Sequence, residues 1–364
     1  MAYRARVFRA IRLMHPIRNM TTANRHRTVL YKSSSRLLAF ILQLALLALP
    51  PVTAADTSPQ EGTASKREFS PVLDGRWIGN GISYGAYRDG ESPDKGSLTS
   101  LDNIREDLRL ITQRWQLIRL YDAGQQSLNI LQVIRDERLP VRVMLGAWIS
   151  SKQTPAEDKA ELDRLIELAN RFPEIVVAVN VGNEINVDWS EHRIDDIDRV
   201  VEYIRHVRAN IRQPVTVSDD YNFWNKEHAG KIAKEVDFIG LHAYAFWNNQ
   251  TLDQAMEWTD AIFRDIQERY PDHLVVYGET GWPTSRVYDT SYEGKLIGKA
   301  GEAEQKAFFD EYTAWVDSNR VISFYFEAFD EQWKGGFDGE NPLAKAEKHW
   351  GVYRSDRTPK KVLQ

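Results

Sequence analysis

Residues 274–282 read LVVYGETGW, an apolar run that leads directly into a glutamate, Glu279, and then a Gly-Trp pair. Seven similar runs occur along the chain, at 77–84, 117–121, 141–148, 175–182, 214–220, 238–244 and 322–329. Several of them are nearly continuous in Val and Ile, which is typical of strands that are buried on both faces. The sequence therefore predicts eight buried strands.

Segments with helical periodicity separate these runs. In 155–171, for example, Leu162, Leu165, Ile166 and Ala169 fall on one stripe, as in a helix with one face on a core. Further helices are predicted at 99–114, 125–137, 195–211, 226–235, 251–270 and 301–318. Eightfold alternation of strand and helix favours an α/β fold, a single-domain (β/α)8 TIM barrel. A doubly wound parallel sheet is the alternative fold.

The N-terminal region differs in composition from the rest. Residues 1–36 contain nine basic residues and no acid, and 37–49 form a thirteen-residue apolar run that is followed by Thr53-Ala54-Ala55. This order is typical of a secretory signal peptide, and the run is shorter than the about 20 residues that span a bilayer. An uncleaved membrane anchor is the alternative. The predicted segments are a signal peptide with a long basic leader at 1–55, a linker at 56–75 and the barrel at 76–364.

Charge and composition exclude several classes of partner. The net charge is −5, but after residue 36 there are 38 Lys and Arg against 52 Asp and Glu, a balance of −14. An acidic body argues against nucleic acid or anionic lipid as a ligand. The chain has no cysteine, which excludes disulfides, zinc–thiolate sites and thiol nucleophiles. Because metal-protease and phosphate-loop motifs are also absent, we expect no metal and no cofactor.

Acidic residues stand at the ends of predicted strands. Glu184 follows the fourth run, and Glu279 lies in the seventh. In a barrel of this kind the C-terminal strand ends form the active site, and carboxylates there are costly to bury unpaired. Two facing carboxyl groups can cleave a glycosidic bond, with retention at a separation of about 5–5.5 Å or with inversion at about 6.5–9.5 Å. Pairing with an arginine, or capping of a helix, is the structural alternative for either residue.

Aromatic side chains at the same strand ends are candidate sugar platforms. The chain has 11 Trp, 15 Tyr and 14 Phe, and sugar rings pack well on aromatic faces. The candidates are Tyr84, Tyr121, Trp148, Trp247, Trp282 and Trp333. Packing in the barrel wall is the alternative for each tryptophan. His242, at the end of the sixth run, could orient a carboxylate or be a satisfied core histidine.

Two motifs resemble those of glycoside hydrolase family 17: GNE at 182–184, and VVYGETGWPT at 275–284. The similarity extends over residues 76–360 and includes FEAFDEQWK at 326–334. The resemblance implies that Glu184 is the general acid/base, that Glu279 is the nucleophile and that configuration is retained. It also implies substrate contacts for Asn183, Tyr244, Glu327, Glu331 and Lys334. Arg286 departs from the pattern, because plant members usually carry a small residue there.

The resemblance further implies hydrolysis of β-1,3-glucan without a cofactor, with a β-glucan polysaccharide or oligosaccharide as the partner. Transfer to a sugar hydroxyl instead of water would make the protein a periplasmic glucan transglycosylase. A non-catalytic glucan-binding barrel is the alternative from another class, and loss of either glutamate would have favoured it. We expect an exported monomer, periplasmic or secreted, with no stable membrane insertion after signal cleavage.

Overall fold

A computed structural model describes residues 65–286, 297–335 and 344–364. The predicted signal peptide and the first part of the predicted linker lie outside these residues. From Ser65 onward the described chain belongs to one compact unit. Within the described ranges, none of the helices combines the length and the apolar character needed to cross a membrane.

Eight parallel strands form a closed barrel in the order of the sequence, and β8 pairs with β1. They are β1 Asn80–Ser83, β2 Leu117–Leu120, β3 Arg142–Ala147, β4 Val176–Asn183, β5 Val215–Asp220, β6 Phe238–His242, β7 Leu274–Thr280 and β8 Ser323–Tyr325. Seven of them lie within their predicted runs, and β4 overlaps its run at 175–182 but ends one residue later, at Asn183. The closed barrel is thereby confirmed, and the doubly wound alternative is wrong.

Helices follow the strands and cover the outside of the barrel. The long ones are α1 Leu101–Ile111, α2 Gln125–Asp136, α3 Pro155–Arg171, α4 Ile197–Asn210, α7 Leu252–Arg269 and α8 Glu302–Asn319, and the short ones are α5 Tyr221–Trp224, α6 Gly230–Ala233 and α9 Ala344–Glu347. Helix α3 begins where the sequence predicts, because Thr154 and Glu157 form a reciprocal capping box. The helix predicted at 226–235 is only a 3-10 turn followed by α6, and Gly230, a poor helix former, stands at the break.

The barrel interior is apolar in its lower half. One buried cluster contains Leu117, Met144, Ala178, Phe238, Val276 and Phe324, which come from six strands. Because side chains alternate between the two faces of a strand, the next inward position on β2 is Arg119, which is fully buried. The inward residues near the C-terminal strand ends are therefore polar and rest on an apolar base.

Residues 66–77, here called the floor segment, close the bottom of the barrel. Phe69 and Leu73 join the inner cluster, and a short antiparallel pairing joins Val72–Leu73 to Arg76–Trp77. The Arg67 backbone N–H donates to Asp237 Oδ1 over 2.8 Å, and its guanidinium donates to two backbone carbonyls. The last ten residues of the predicted linker, 66–75, therefore pack against the barrel through Phe69 and Leu73, and the linker bounds stay a prediction.

Candidate active site

Arg119 lies at the centre of the polar layer and joins four strands. From β2, its Nη1 donates to the carbonyl of Gly278 at 2.7 Å and to Glu279 Oε1 at 3.0 Å, both on β7. Its Nη2 donates to Asn183 Oδ1 on β4 at 2.6 Å. A guanidinium is always charged and offers several donors in a fixed plane, which suits this position. Arg119 was not among the site residues selected from the sequence.

Glu279 is held by one cation and one hydroxyl. Tyr244 OH donates to Oε2 at 2.7 Å, while Arg119 binds Oε1. Burial by itself would raise the pKa of Glu279, but His242, Arg119 and the Tyr244 hydrogen bond together lower it below its usual value. Because burial lowers the pKa of His242 to about 4, that imidazole is neutral at pH 7 and Arg119 supplies the charge. Glu279 is therefore ionised at neutral pH.

Glu184 is presented by a tight turn at the end of β4. Its φ is 50°, a left-handed value that is uncommon outside glycine, and Gly182 before it has φ 89°. The Glu184 N–H donates to the Ser218 carbonyl on β5, which fixes the turn. Burial raises the pKa of Glu184 well above its usual value, and the negative charge of Glu279 adds to the effect. Two carboxyl groups in one site thus favour opposite protonation states.

His242 links the two carboxylates. Its Nε2 lies 2.9 Å from Arg119 Nη1, and its Nδ1 lies 3.0 Å from Glu184 Oε1. Arginine can only donate, so Nε2 must accept and the ring proton is on Nδ1. Nδ1–H therefore donates to Glu184 Oε1. When Glu184 is protonated, its own proton then belongs on Oε2.

The two carboxyl groups are close. One oxygen of Glu184, one oxygen of Glu279 and a ring nitrogen of His242 all lie within 4.8 Å of one another. This closeness is compatible with double displacement, for which the two carboxyl groups stand about 5–5.5 Å apart. Three such atoms could also ligate a metal ion. Both ring nitrogens already have partners, however, and Arg119 holds a positive charge beside Glu279, so the arrangement fits proton transfer better.

A second charged cluster lies beyond the end of β8. Lys334 Nζ contacts Glu327 Oε2 at 2.5 Å and Glu331 Oε2 at 2.7 Å, and it lies 4.3 Å from the centre of the Phe326 ring. Burial raises the pKa of Glu327 well above its usual value, opposed by Lys334. Glu327 Oε1, Glu331 Oε1 and Trp333 Nε1 are buried and make no hydrogen bond within the described part of the chain. Buried polar atoms of this kind are normally satisfied, so a ligand hydroxyl is the natural partner.

The sequence model of the BtgE/BtgC glycoside hydrolase domain matches residues 81–351. The chain belongs to this glycoside hydrolase family. The resemblance to glycoside hydrolases inferred from GNE and VVYGETGWPT is thereby confirmed.

Two curated relatives illustrate the similarity of this glycoside hydrolase to other proteins. A protein of Arthroderma benhamiae named glucan 1,3-beta-glucosidase is 29% identical over 298 residues, which cover 77% of this chain and 88% of the relative. A protein of Aspergillus niger named putative glucan endo-1,3-beta-glucosidase btgC is 27% identical over 277 residues, which cover 72% of this chain and 40% of the relative. The chain thus spans less than half the length of the btgC relative.

Two solved structures share the fold of the hydrolase. An endo-laminarinase from Formosa Hel1_33_131 has a TM-score of 0.68 at 24% identity, over 79% of this chain and 86% of that one. A glycoside hydrolase family 17 beta-1,3-glucanosyltransferase from Rhizomucor miehei has a TM-score of 0.62 at 23% identity. The match covers 78% of this chain and 95% of that one. At these identities the likeness concerns the barrel itself.

Most of the residues selected from the sequence come together in the hydrolase. Around Arg119, one hydrogen-bonded set contains Asn183, Glu184, His242, Tyr244 and Glu279. The ring of Tyr121 lies 4.7 Å from the Arg119 guanidinium, next to that set. Glu327, Glu331, Trp333 and Lys334 form the second cluster described above. Arg119 could have been found from sequence, because a lone charge inside an apolar strand needs a partner.

Two selected residues belong to the core instead. Tyr84 is 1% exposed and donates its hydroxyl to Asp107 on α1, so it offers no surface to a substrate. Trp282 is 0% exposed, donates Nε1–H to the Lys299 carbonyl and packs against Phe308 of α8. Helices cover both side chains, and the substrate-binding roles expected for them stay predictions.

Proposed function

We propose that this glycoside hydrolase cleaves β-1,3-linked glucan by double displacement, with retention of configuration. The observation that carries the proposal is the Glu184–Glu279 pair: one oxygen of each lies within 4.8 Å of the other, and the two pKa values shift in opposite directions. The names of the Arthroderma and Aspergillus relatives support β-1,3-glucan as the substrate. A barrel that only binds glucan would not need such a pair.

In the first half of the reaction, Glu184 donates a proton from Oε2 to the departing glycosidic oxygen. The ionised Glu279 attacks the anomeric carbon, so that one carbon–oxygen bond breaks as a bond to Glu279 forms. Tyr244 and Arg119 each hold one oxygen of Glu279, which orients the carboxylate before the attack. His242 keeps Glu184 Oε1 occupied, so only Oε2 can deliver the proton.

In the second half, the ester formed on Glu279 carries no charge. The negative charge that helped to raise the pKa of Glu184 is then gone, and Glu184 ionises more readily. As a base, it removes a proton from water, which attacks the anomeric carbon and releases Glu279 as a carboxylate. Glu184 therefore acts first as an acid and then as a base within one turnover.

Sugar hydroxyls are held by the polar atoms that have no hydrogen-bond partner in the described part of the chain. Glu327 Oε1, Glu331 Oε1 and Trp333 Nε1 form one such group, with Lys334 fixing both carboxylates. Asn183, whose Oδ1 is bound to Arg119, and Tyr121 lie beside the catalytic pair and contact the sugar at the cleavage point. Export to the periplasm or the medium, cleavage of the signal peptide and a monomeric state remain predictions.

The direct test is to follow the products of a linear β-1,3-glucan by chromatography and by proton NMR of the anomeric signals. We expect shorter oligosaccharides whose newly formed reducing ends are first seen as the β anomer. If the α anomer appeared first, the configuration would be inverted and double displacement would be refuted. No cleavage of this glucan would refute the proposed substrate.

Activity is expected to depend on pH through both carboxyl groups. As pH falls through the lowered pKa of Glu279, kcat/KM drops because the nucleophile becomes protonated. As pH rises through the raised pKa of Glu184, kcat/KM drops because the acid is lost. The measurement is a pH profile of the wild type and of Glu184→Gln, with a glucosyl fluoride donor for the variant because fluoride leaves without a proton. Persistence of the alkaline limb in Glu184→Gln would contradict its assignment.

Gly85→Ala is expected to weaken substrate binding through Glu331. A Cβ at residue 85 would lie 2.2 Å from Glu331 Oε1, so the carboxylate must move. Loss of one hydrogen bond to a charged group costs about 1.5–3 kcal/mol, or roughly a 10- to 100-fold fall in kcat/KM. Steady-state kinetics check this, with Gly230→Ala as the control because its Cβ would meet no atom within 4 Å. Equal kinetics for the two variants would contradict the role of Glu331.

A further inference from the structure

Trp148 is a tryptophan at the rim of the barrel that the mechanism above does not use. It directly follows β3 and is 39% exposed. Every second residue of a strand faces the same side. Met144 belongs to the inner cluster, so Gly146 and Trp148 face inward as well. Met144 also pairs in register with the inward Arg119. The alternation therefore directs the indole toward the mouth of the barrel.

The Trp148 indole is held by contacts with neighbouring groups. The His192 ring lies 4.9 Å away at an angle of 38°, and His192 Nε2 donates to the Asn183 carbonyl over 2.7 Å. The Trp148 backbone N–H donates to Glu161 Oε1, and the Ser151 N–H donates to the His192 carbonyl, which joins the β3 and β4 loops. Trp148 is thus a flat, preorganised apolar surface anchored to the residue before Glu184.

Trp148 lies on the leaving-group side of the scissile bond. Glu184, which protonates the departing oxygen, ends β4, the immediate neighbour of β3. The second charged cluster follows β8, on the far side of the barrel in the order of strands. A sugar chain that spans the mouth therefore has its departing part over the ends of β3 and β4.

We propose that Trp148 is the platform for the glucosyl unit on the leaving-group side, which is also where an acceptor sugar binds. This rests on the proposed function. An acceptor hydroxyl there would attack the anomeric carbon, pass its proton to Glu184 and break the bond to Glu279, so that a new glucosidic bond replaces the ester. Water in the same place gives hydrolysis. Trp148 therefore controls both the binding of the leaving sugar and the partition between transfer and hydrolysis.

The test compares two substrates in three variants of the full protein. With a β-1,3-linked oligosaccharide the leaving group is a sugar, which would bind on Trp148. With a glucosyl fluoride of the same anomeric configuration the leaving group is only fluoride. We expect Trp148→Ala to lower kcat/KM for the oligosaccharide about tenfold and to leave the fluoride within about twofold. Trp148→Phe should retain most of the activity. Leu274→Ala, similarly exposed at 40% but at the N-terminal end of β7, on the side of the barrel opposite the mouth, should change neither rate.

The partition between transfer and hydrolysis, measured with added laminaribiose as acceptor, gives an independent readout. Trp148→Ala should lower the ratio of transfer product to hydrolysis product about tenfold at fixed acceptor concentration. Equal losses on both substrates, or an equal loss in Leu274→Ala, would overturn the platform while leaving hydrolysis intact. If the wild type turned over neither the oligosaccharide nor the fluoride, both the platform and the proposed function would be refuted.

Discussion

Glu279→Gln is expected to lower kcat on β-1,3-glucan by about 10⁴-fold or more, a loss of the size found when a catalytic nucleophile is removed. Glutamine keeps the shape of the side chain, and its amide oxygen can still accept from Arg119 or Tyr244. It cannot form the glycosyl ester. The measurement is the initial rate on an oligosaccharide and on a glucosyl fluoride, and both should fall equally.

Glu184→Gln is the matched control, because it removes the other carboxyl group of the pair. Its rate of oligosaccharide cleavage should fall by about 10²–10⁴-fold, the usual contribution of a general acid. With the fluoride donor its first step should survive. If instead Glu184→Gln lost both substrates equally and Glu279→Gln kept the fluoride, the two roles would have to be exchanged.

Arg119→Met is expected to damage both stability and catalysis. The side chain is 0% exposed, and its loss would leave Glu279 buried without its cation, which costs about 3–5 kcal/mol of unfolding free energy. Loss of a preorganised charge should also lower kcat about 10²–10³-fold. Urea unfolding and steady-state kinetics measure these two effects. The acid limb of the pH profile should move to higher pH, because Arg119 helps to lower the pKa of Glu279.

Arg264→Met serves as the control for Arg119. Arg264 is exposed on α7 and pairs with Asp260 one turn away, so its removal should change neither stability nor activity noticeably. Arg119→Lys keeps the charge but not the fork of donors, and we expect a loss between those of the wild type and Arg119→Met. An Arg119→Met variant with wild-type stability and an unmoved acid limb would contradict the role of Arg119 in the site.

The barrel could be predicted because its signal is local. Each strand is a short apolar run, and each long helix has an apolar stripe, so neither needs knowledge of distant residues. Glu184 and Glu279 could be predicted because a carboxylate is costly to bury at the end of an apolar strand and therefore marks a functional position. Which residues approach each other across the barrel is a different question, and sequence spacing does not answer it.

The sequence also does not show which neighbours cover a side chain. Tyr84 stands at a strand end as Tyr121 does, but Asp107 on α1 takes its hydroxyl and covers it. Trp282 follows Glu279 by three residues, yet Phe308 of α8 covers its ring. The importance of Arg119 lies in partners on three other strands, β4, β6 and β7. In each case the deciding contact joins residues that are far apart in the chain.

The floor segment has a consequence for the order in which the molecule folds. The contacts of Arg67 join it to residues 141 to 170 positions further along the chain. Phe69 and Leu73 share their cluster with Phe324 of the last strand. During synthesis these apolar side chains emerge early and find their partners late, which is the situation that favours slow folding and exposes a chain to aggregation. The stretch that resembles a spacer in sequence can therefore complete its packing only after the last strand has joined the barrel.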